Sequence, residues 1–312
     1  MLLLFGIEQN RTPADTSFMI ILDPAKHTSG VQHFFQHYGI RPQAPSLSFL
    51  EEILQHYAGL PYENISKILK LNKHFTSLEH LRFPEEVIED HIRFRFGGTC
   101  FSLTFFLYSI LTHHGFIAYP VMADMKNRPK THSALIVFLE KRKYLVDPGY
   151  LLKAPMEIHP DKPRLYRNAH TGVELCFNPQ EERYHLYTFD AQQITWRYQF
   201  QDQPVSWEEF LKYWHDSFYQ GTMHGICVTQ LREDRLMYIH NQYVKIASFA
   251  GTQKRRLKKD VESVISELFG IQPEFVEQAL AAIPENIKME KKHGLRKEQR
   301  HSLEEKESNE TS

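Results

Sequence analysis

The stretch FRFGGTCFSLTFFLYS, residues 94–109, decides how the chain is read. Gly97 and Gly98 stand just before Cys100, and an apolar run follows in which Leu103, Phe106, Leu107, Ile110 and Leu111 recur at helical spacing. The pattern predicts a helix that starts at Cys100, with Thr99 as N-cap and Gly115 at its end. A packed structural thiol needs neither the glycines nor the helix start, whereas a nucleophile has use for both. At a helix start a sulfur meets the positive end of the dipole and unpaired backbone N–H groups, which favours thiolate. Gly97 and Gly98 allow a turn closed to residues with a Cβ and let a substrate approach the main chain. The free N–H groups can hold an oxyanion. Position alone does not decide the matter, because a lone cysteine at a helix start is more often a small packed hydrophobe.

A reactive thiol needs a base. Of 18 histidines, His132 is placed best: it opens the run HSALIVFL, whose hairpin partner KYLVD ends at Asp147. An even loop, such as the two residues Glu140 and Lys141, sets His132 opposite Gly149 and makes Asp147 its diagonal neighbour on the same face. An odd loop would turn the two side chains to opposite faces. Pro148 holds Asp147 extended and Gly149 leaves room at the strand end. Thiol, imidazole and carboxylate together form the arrangement of covalent acyl chemistry. The plain alternative is that His132 and Asp147 merely satisfy each other at a strand end.

The surroundings bound these readings. At 312 residues the chain can bury a large core, and length points to two or three packed units. A formal charge of −1 gives no basic surplus for nucleic acid and no acidic surplus for a solvating chain. Three cysteines, Cys100, Cys176 and Cys227, fit a reduced compartment better than a disulfide framework. The opening MLLLFGI is too short for a signal sequence or a membrane span, so a soluble cytoplasmic protein is expected.

Along the chain, residues 1–30 read as an irregular N-terminal extension, with a short strand at FMIIL. Residues 31–115 read as helical and carry Cys100. Within them SLSFLEEILQHYAG is a helix with Leu50, Ile53, Leu54 and Tyr57 on one face, a capping box at Ser48 and Glu51, and a stop at Gly59. Residues 116–205 are mainly β, with runs such as RYHLYTF and ITWRYQF among turns. Residues 206–285 mix a helix at SWEEFLKYWHDSFY, two strands around NQ in LMYIHNQYVKIASF, and a helix at KKDVESVISELFGI. Residues 286–312, rich in Lys, Glu, Arg and Ser, read as a disordered charged tail.

In order and spacing, FGGTC, THSALIVF and YLVDPGY, with LPYENI (Leu60 to Ile65) upstream, resemble the arylamine N-acetyltransferase family. The likeness extends over about residues 31–285. It implies an α+β fold: an N-terminal helical bundle, a central β-barrel and a C-terminal α/β lid, with a papain-like Cys-His-Asp constellation. It further implies ping-pong acetyl transfer from acetyl-CoA, through a thioester on Cys100, to an arylamine or hydrazine. In that scheme His132 is the base, Asp147 orients it, and Tyr150 lines the acceptor pocket. Acetyl-CoA would be a cosubstrate; no permanently bound cofactor, metal, nucleic acid or membrane partner is expected. Two positions depart from the family pattern, Pro148 in a minor way and Phe96 in the way that matters. The arginine before the two glycines is Phe96, a second candidate substrate contact, and the buried carboxylate of Glu63 is expected to recruit Arg95 or Arg93 in its place. Competing readings are an amide synthase using another thioester donor, a Cys-His-Asp amide hydrolase, and a family member without activity.

Overall fold

Five helices at the front of the chain follow from its apolar periodicity. They are α1 (Thr28–Tyr38), α2 (Leu47–Tyr57), α3 (Ile65–Lys73), α4 (Pro84–Phe94) and α5 (Cys100–His113). The structure is a computed structural model that describes residues 22–73, 78–167, 172–189, 193–232, 235–248 and 251–310, with backbone alone for 295–310. The strand expected at FMIIL falls almost wholly outside the described residues. The expected irregular extension does not reach residue 30. Pro24–His27 already form a 3-10 turn and α1 starts at Thr28, because His27 stacks on Phe83 and bonds to Glu85 at 2.7 Å.

Helix α2 buries Leu50, Ile53, Leu54 and Tyr57 as its pattern requires, but its cap is Ser46 and not Ser48. Ser46 lies extended and its Oγ accepts from the Phe49 N–H at 3.2 Å, so the helix begins before the expected capping box. Helix α5 is buried almost all round. Leu103, Phe106, Leu107, Ile110 and Leu111 face one cluster with α1 and α2, while Phe101 and Phe105 face a second with the C-terminal elements. A helix apolar on every side belongs at a centre of packing, and α5 lies between the two cores.

The middle of the chain forms β2 (Ile117–Met125), β3 (Arg128–Leu139), β4 (Arg142–Val146), β5 (Met156–Glu157), β6 (Arg164–Arg167), β7 (Gly172–Asn178), β8 (Arg183–Phe189) and β9 (Ile194–Phe200). Another strand, β1 (Tyr62–Glu63), lies ahead of them in the bundle. The eight-stranded sheet runs β5-β4-β3-β2-β9-β8-β7-β6 and is nearly closed, with Arg164 of β6 bonded to Glu157 of β5 at 2.5 Å. Strand β3 is buried on both faces, which explains its unbroken apolar run. Ala134 and Ile136 point into the barrel, and Leu135 and Val137 toward the bundle. Its turn to β4 is the two-residue loop Glu140-Lys141, both at positive φ (50° and 65°). Pairs Leu139↔Arg142 through Leu135↔Val146 fix the even register that sets His132 and Asp147 on one side.

The C-terminal part adds α6 (Trp207–Asp216), β10 (Cys227–Arg232), β11 (Arg235–His240), β12 (Tyr243–Ser248), β13 (Gly251–Arg256), α7 (Val261–Phe269) and α8 (Pro273–Glu310). Its sheet, in the order β1-β10-β11-β12-β13, takes its first strand from the bundle. Tyr62 and Glu63 pair with Thr229 and Val228, and Tyr62 also bridges to Gly98. In place of the expected disordered tail, α8 carries straight through residue 285. Composition averages over all faces of a segment, but this helix sets one face on the core. Asn286 is buried and bonds to Asn72 at 2.5 Å, Met289 packs on the core, and His293 stacks on Tyr219 at 4.2 Å. Among the described residues, no helix is long and apolar enough to cross a membrane.

Candidate active site

Every polar backbone group of the turn before the nucleophile helix that the structure ties down can be named. The Phe96 carbonyl accepts from His91 Nδ1 at 2.9 Å. Gly97 donates its N–H to Glu63 Oε1 at 3.3 Å and accepts at its carbonyl from Arg82 Nη1 at 2.5 Å. Gly98 donates to the Pro61 carbonyl at 3.3 Å and accepts from the Glu63 N–H at 2.9 Å. The two glycines serve close approach and not a left-handed backbone, since neither has a positive φ. A Cβ on Gly97 would stand 1.9 Å from the Pro61 carbonyl oxygen, and one on Gly98 2.3 Å from Ser102 Oγ. Cys100 follows as the first residue of α5, with Thr99 as N-cap and no side chain capping the first-turn N–H groups. Cys100 is buried, and its sulfur lies 3.8 Å from the Thr131 carbonyl oxygen.

His132 enters from β3 and Asp147 from the end of β4. His132 Nε2 lies 2.8 Å from Asp147 Oδ2, both residues buried, and the sulfur of Cys100 is near enough to favour the charged form of the same imidazole. With Nε2 committed to the carboxylate, Nδ1 is the ring nitrogen left for the sulfur. Gly149 shows how closely the three gather: a Cβ there would lie 2.7 Å from His132 Cε1, 3.2 Å from Cys100 Cβ and 3.3 Å from Asp147 Oδ1. Burial opposes charging of His132, but the Asp147 carboxylate, its hydrogen bond and the Cys100 sulfur outweigh it and raise the imidazole to about 10. Tyr150 stands edge-on to His132 at 5.3 Å, its hydroxyl pushed up in pKa by burial.

The remaining expected residues are placed differently. The ring of Phe96 packs between Phe94 and Phe275 of α8, in the core. Glu63 is fully buried, but its arginine is neither Arg93 nor Arg95. Those two sit exposed at the C-terminal end of α4. Arg82, just ahead of α4, supplies the guanidinium, 3.6 Å from Glu63 Oε1 and itself buried. Ser66 adds two more donors to the carboxylate, its backbone N–H at 2.9 Å and its Oγ at 2.5 Å.

Two groups at the site escaped the sequence reading. Tyr198 of β9 donates its hydroxyl to Asp147 Oδ2 at 2.5 Å and lies 4.7 Å from the His132 ring. Tyr62 of β1 is half-buried near Cys100, and desolvation raises its hydroxyl well above the ordinary range. The alternation of ITWRYQF could have placed Tyr198 on the face of Phe200, but nothing local says which strand that face meets. Cys227 is held inert, burial and then Glu63 pushing its thiol up to about 12. Among the described residues no group of three or more His, Cys, Asp or Glu is arranged to hold a metal ion.

A helical bundle, a nearly closed barrel and a C-terminal α/β part make up the fold. Solved structures share it. The arylamine N-acetyltransferase from Mycobacterium abscessus superposes with a TM-score of 0.67 at 19% identity, over 80% of this chain and 94% of that one. The arylamine N-acetyltransferase from M. tuberculosis gives 0.67 at 20% identity, over 81% and 99%. That from Bacillus cereus, described as having a Cys-His-Glu catalytic triad, gives 0.61 at 19% identity, over 78% and 98%. No curated protein matches by sequence. A family model described as N-acetyltransferase matches residues 46–278, and the chain belongs to that family.

Proposed function

We propose that the protein transfers an acetyl group from acetyl-CoA to a small aromatic amine or hydrazine through a thioester on Cys100. The observation that carries this reading is the gathering of Cys100, His132 and Asp147 around Gly149. An imidazole raised to about 10 keeps its proton at neutral pH and sets a cation beside the sulfur, the setting in which a thiol serves as nucleophile. The thiolate attacks the carbonyl of the donor thioester, the C–S bond to the coenzyme breaks, and the leaving thiolate takes the proton from His132. One thioester replaces another, so the exchange is close to balanced in free energy. In the second half the amine nitrogen attacks the thioester carbon and His132 takes the amine proton. The amide leaves, and Cys100 is again a thiolate beside an imidazolium. The first-turn N–H groups of α5 offer donors for the oxyanion in each half. Asp147 holds the ring so that Nδ1 meets the sulfur, and Tyr150 walls the acceptor side. Phe96, turned into the core, is left as a packing residue.

Intact mass measured after incubation with acetyl-CoA tests the reading. Wild type is expected to gain one acetyl group, Cys100→Ala none, and an arylamine or hydrazine should discharge the adduct. An adduct on Cys100→Ala, or none on wild type with any acyl thioester, would overturn it. Rapid discharge by water without amine would favour the amide hydrolase.

A further inference from the structure

Arg82 makes more ties than a buried arginine needs for its own neutralisation. Its Nη2 bonds to Asp90 Oδ2 at 2.7 Å and its Nε lies 3.5 Å from Glu86 Oε1, so α4 already balances its charge. The remaining nitrogen, Nη1, points the other way. It donates to Ser66 Oγ at 2.7 Å and to the Gly97 carbonyl at 2.5 Å, and faces Glu63 at 3.6 Å. Glu63 in turn takes the Gly97 N–H and gives its own N–H to the Gly98 carbonyl. Arginine and glutamate thus grip both sides of the same glycine, three residues before the sulfur. The grip falls where the chain is least able to hold itself, because two successive glycines carry no side-chain restraint. The residue directly before the glycines, Phe96, has turned its side chain into the core, and the guanidinium arrives from a position outside the motif.

We infer that Arg82 is the positioning residue for Cys100: its planar fork, anchored on α4, fixes the Gly97–Gly98 peptides and so the direction in which α5 presents the sulfur. The fork is needed for this. A lysine carries a point charge on a flexible stem and cannot hold Asp90, Ser66 and the Gly97 carbonyl in one plane. Without it the Gly97 carbonyl is buried without a charged donor, and the glycine pair can rotate to relieve this. Rotation there swings Thr99 and Cys100 relative to His132. The inference rests on the reading of Cys100 as nucleophile, but its test does not need acyl transfer to occur.

The test compares wild type, Arg82→Lys and Arg82→Ala for alkylation of each cysteine by iodoacetamide as a function of pH, resolved by peptide mass, alongside thermal melting. Expected is a loss of about 10- to 100-fold in the Cys100 rate at neutral pH in both variants. The pH profile of Cys100 should shift upward, Cys176 should be unchanged, and melting should stay cooperative. A folded variant whose Cys100 keeps the wild-type rate and profile would overturn the inference. So would equal changes at all three cysteines, or collapse of both variants, since Arg82 would then serve the fold at large. Wild type that fails to acylate would refute the proposed function and leave this comparison intact.

Discussion

Tyr198 Oη lies 2.5 Å from Asp147 Oδ2, the same carboxylate oxygen that holds His132 Nε2 at 2.8 Å. The other oxygen, Oδ1, accepts the Tyr150 N–H at 3.1 Å. Asp147 therefore has a donor on the imidazole, one on the barrel wall and one on the turn that follows it. Three bonds from three directions leave a fully buried carboxylate no room to rotate. The ring of Tyr198 also stacks obliquely on His132, so a single barrel residue touches both partners.

Removing only the phenolic oxygen separates these roles. Tyr198→Phe keeps the ring against His132 and leaves Asp147 with two donors. Acyl transfer is expected to fall about tenfold, within the range of one charge-assisted hydrogen bond. Asp147→Asn should cost about 10³- to 10⁴-fold by favouring the wrong imidazole tautomer. Steady-state rates with one donor and one amine check both. Equal losses in the two variants would show that Tyr198 does more than steady the carboxylate.

Gly149 offers a steric test of the imidazole's position. Its φ is not positive, so an alanine meets no backbone strain, but the added methyl would stand 2.7 Å from His132 Cε1. The ring cannot retreat, because Asp147 holds Nε2 and Tyr198 packs against its plane. Gly149→Ala is expected to lower kcat about 10- to 100-fold while melting within a few degrees of wild type. Unchanged turnover would mean that the ring position tolerates displacement and would weaken the assigned role of His132.

How much of this could be read from residues alone depends on how far apart in the chain the partners lie. His132 and Asp147 belong to one hairpin, and a two-residue loop fixes their register. Cys100 sits at a helix start that Gly97, Gly98 and Thr99 announce. Tyr198 reaches Asp147 only because β9 pairs with β2, and no local pattern encodes that pairing. Arg93 and Arg95 are nearer to the glycines in sequence than Arg82, yet the end of α4 turns both outward. Ser46 displaced Ser48 as cap because its extended backbone lets Oγ meet the Phe49 N–H. Local chemistry was legible; the choice among distant partners was not.

His91 makes stability depend on pH. It is buried, its Nδ1 donates to the Phe96 carbonyl and its Nε2 accepts from the Tyr38 hydroxyl at 3.1 Å. Burial chiefly, with His37 and Arg95 adding to it, lowers its pKa to about 4 against the opposing pull of the Phe96 bond. Between about 6.5 and 4 the unfolded chain takes the proton first, so stability is complete above that window and lost as pH falls through it. From pH 7 to pH 5 one such site costs about 2 kcal/mol. Urea midpoints at the two pH values should show this loss in wild type, and a smaller one in His91→Gln. The same loss in both proteins would rule out His91 as its source.

The last helix gives a prediction that its composition alone would reverse. A tail of Lys, Glu, Arg and Ser suggests that everything from Asn286 onward can be removed without consequence. In the structure Asn286 bonds to Asn72 of α3, Glu290 bonds to His224, and His293 stacks flat on Tyr219 with its Nε2 3.4 Å from Asp216. Met289 adds apolar contact to the core that α5 and α6 share. Ending the chain at Glu285 removes one buried hydrogen bond and one core side chain besides the exposed pairs, which is expected to cost about 2–4 kcal/mol. Ile283 and the turns before it remain, so the shortened protein should still fold cooperatively with a lower urea midpoint. Lys67 reports the same loosening independently. Its ammonium, lowered to about 8 by burial, is held by Ser217 at the end of α6, next to the Tyr219 that His293 covers. Losing that cover should speed amine labelling of Lys67. An unchanged midpoint together with unchanged labelling would return residues 286–312 to the status of an unattached tail.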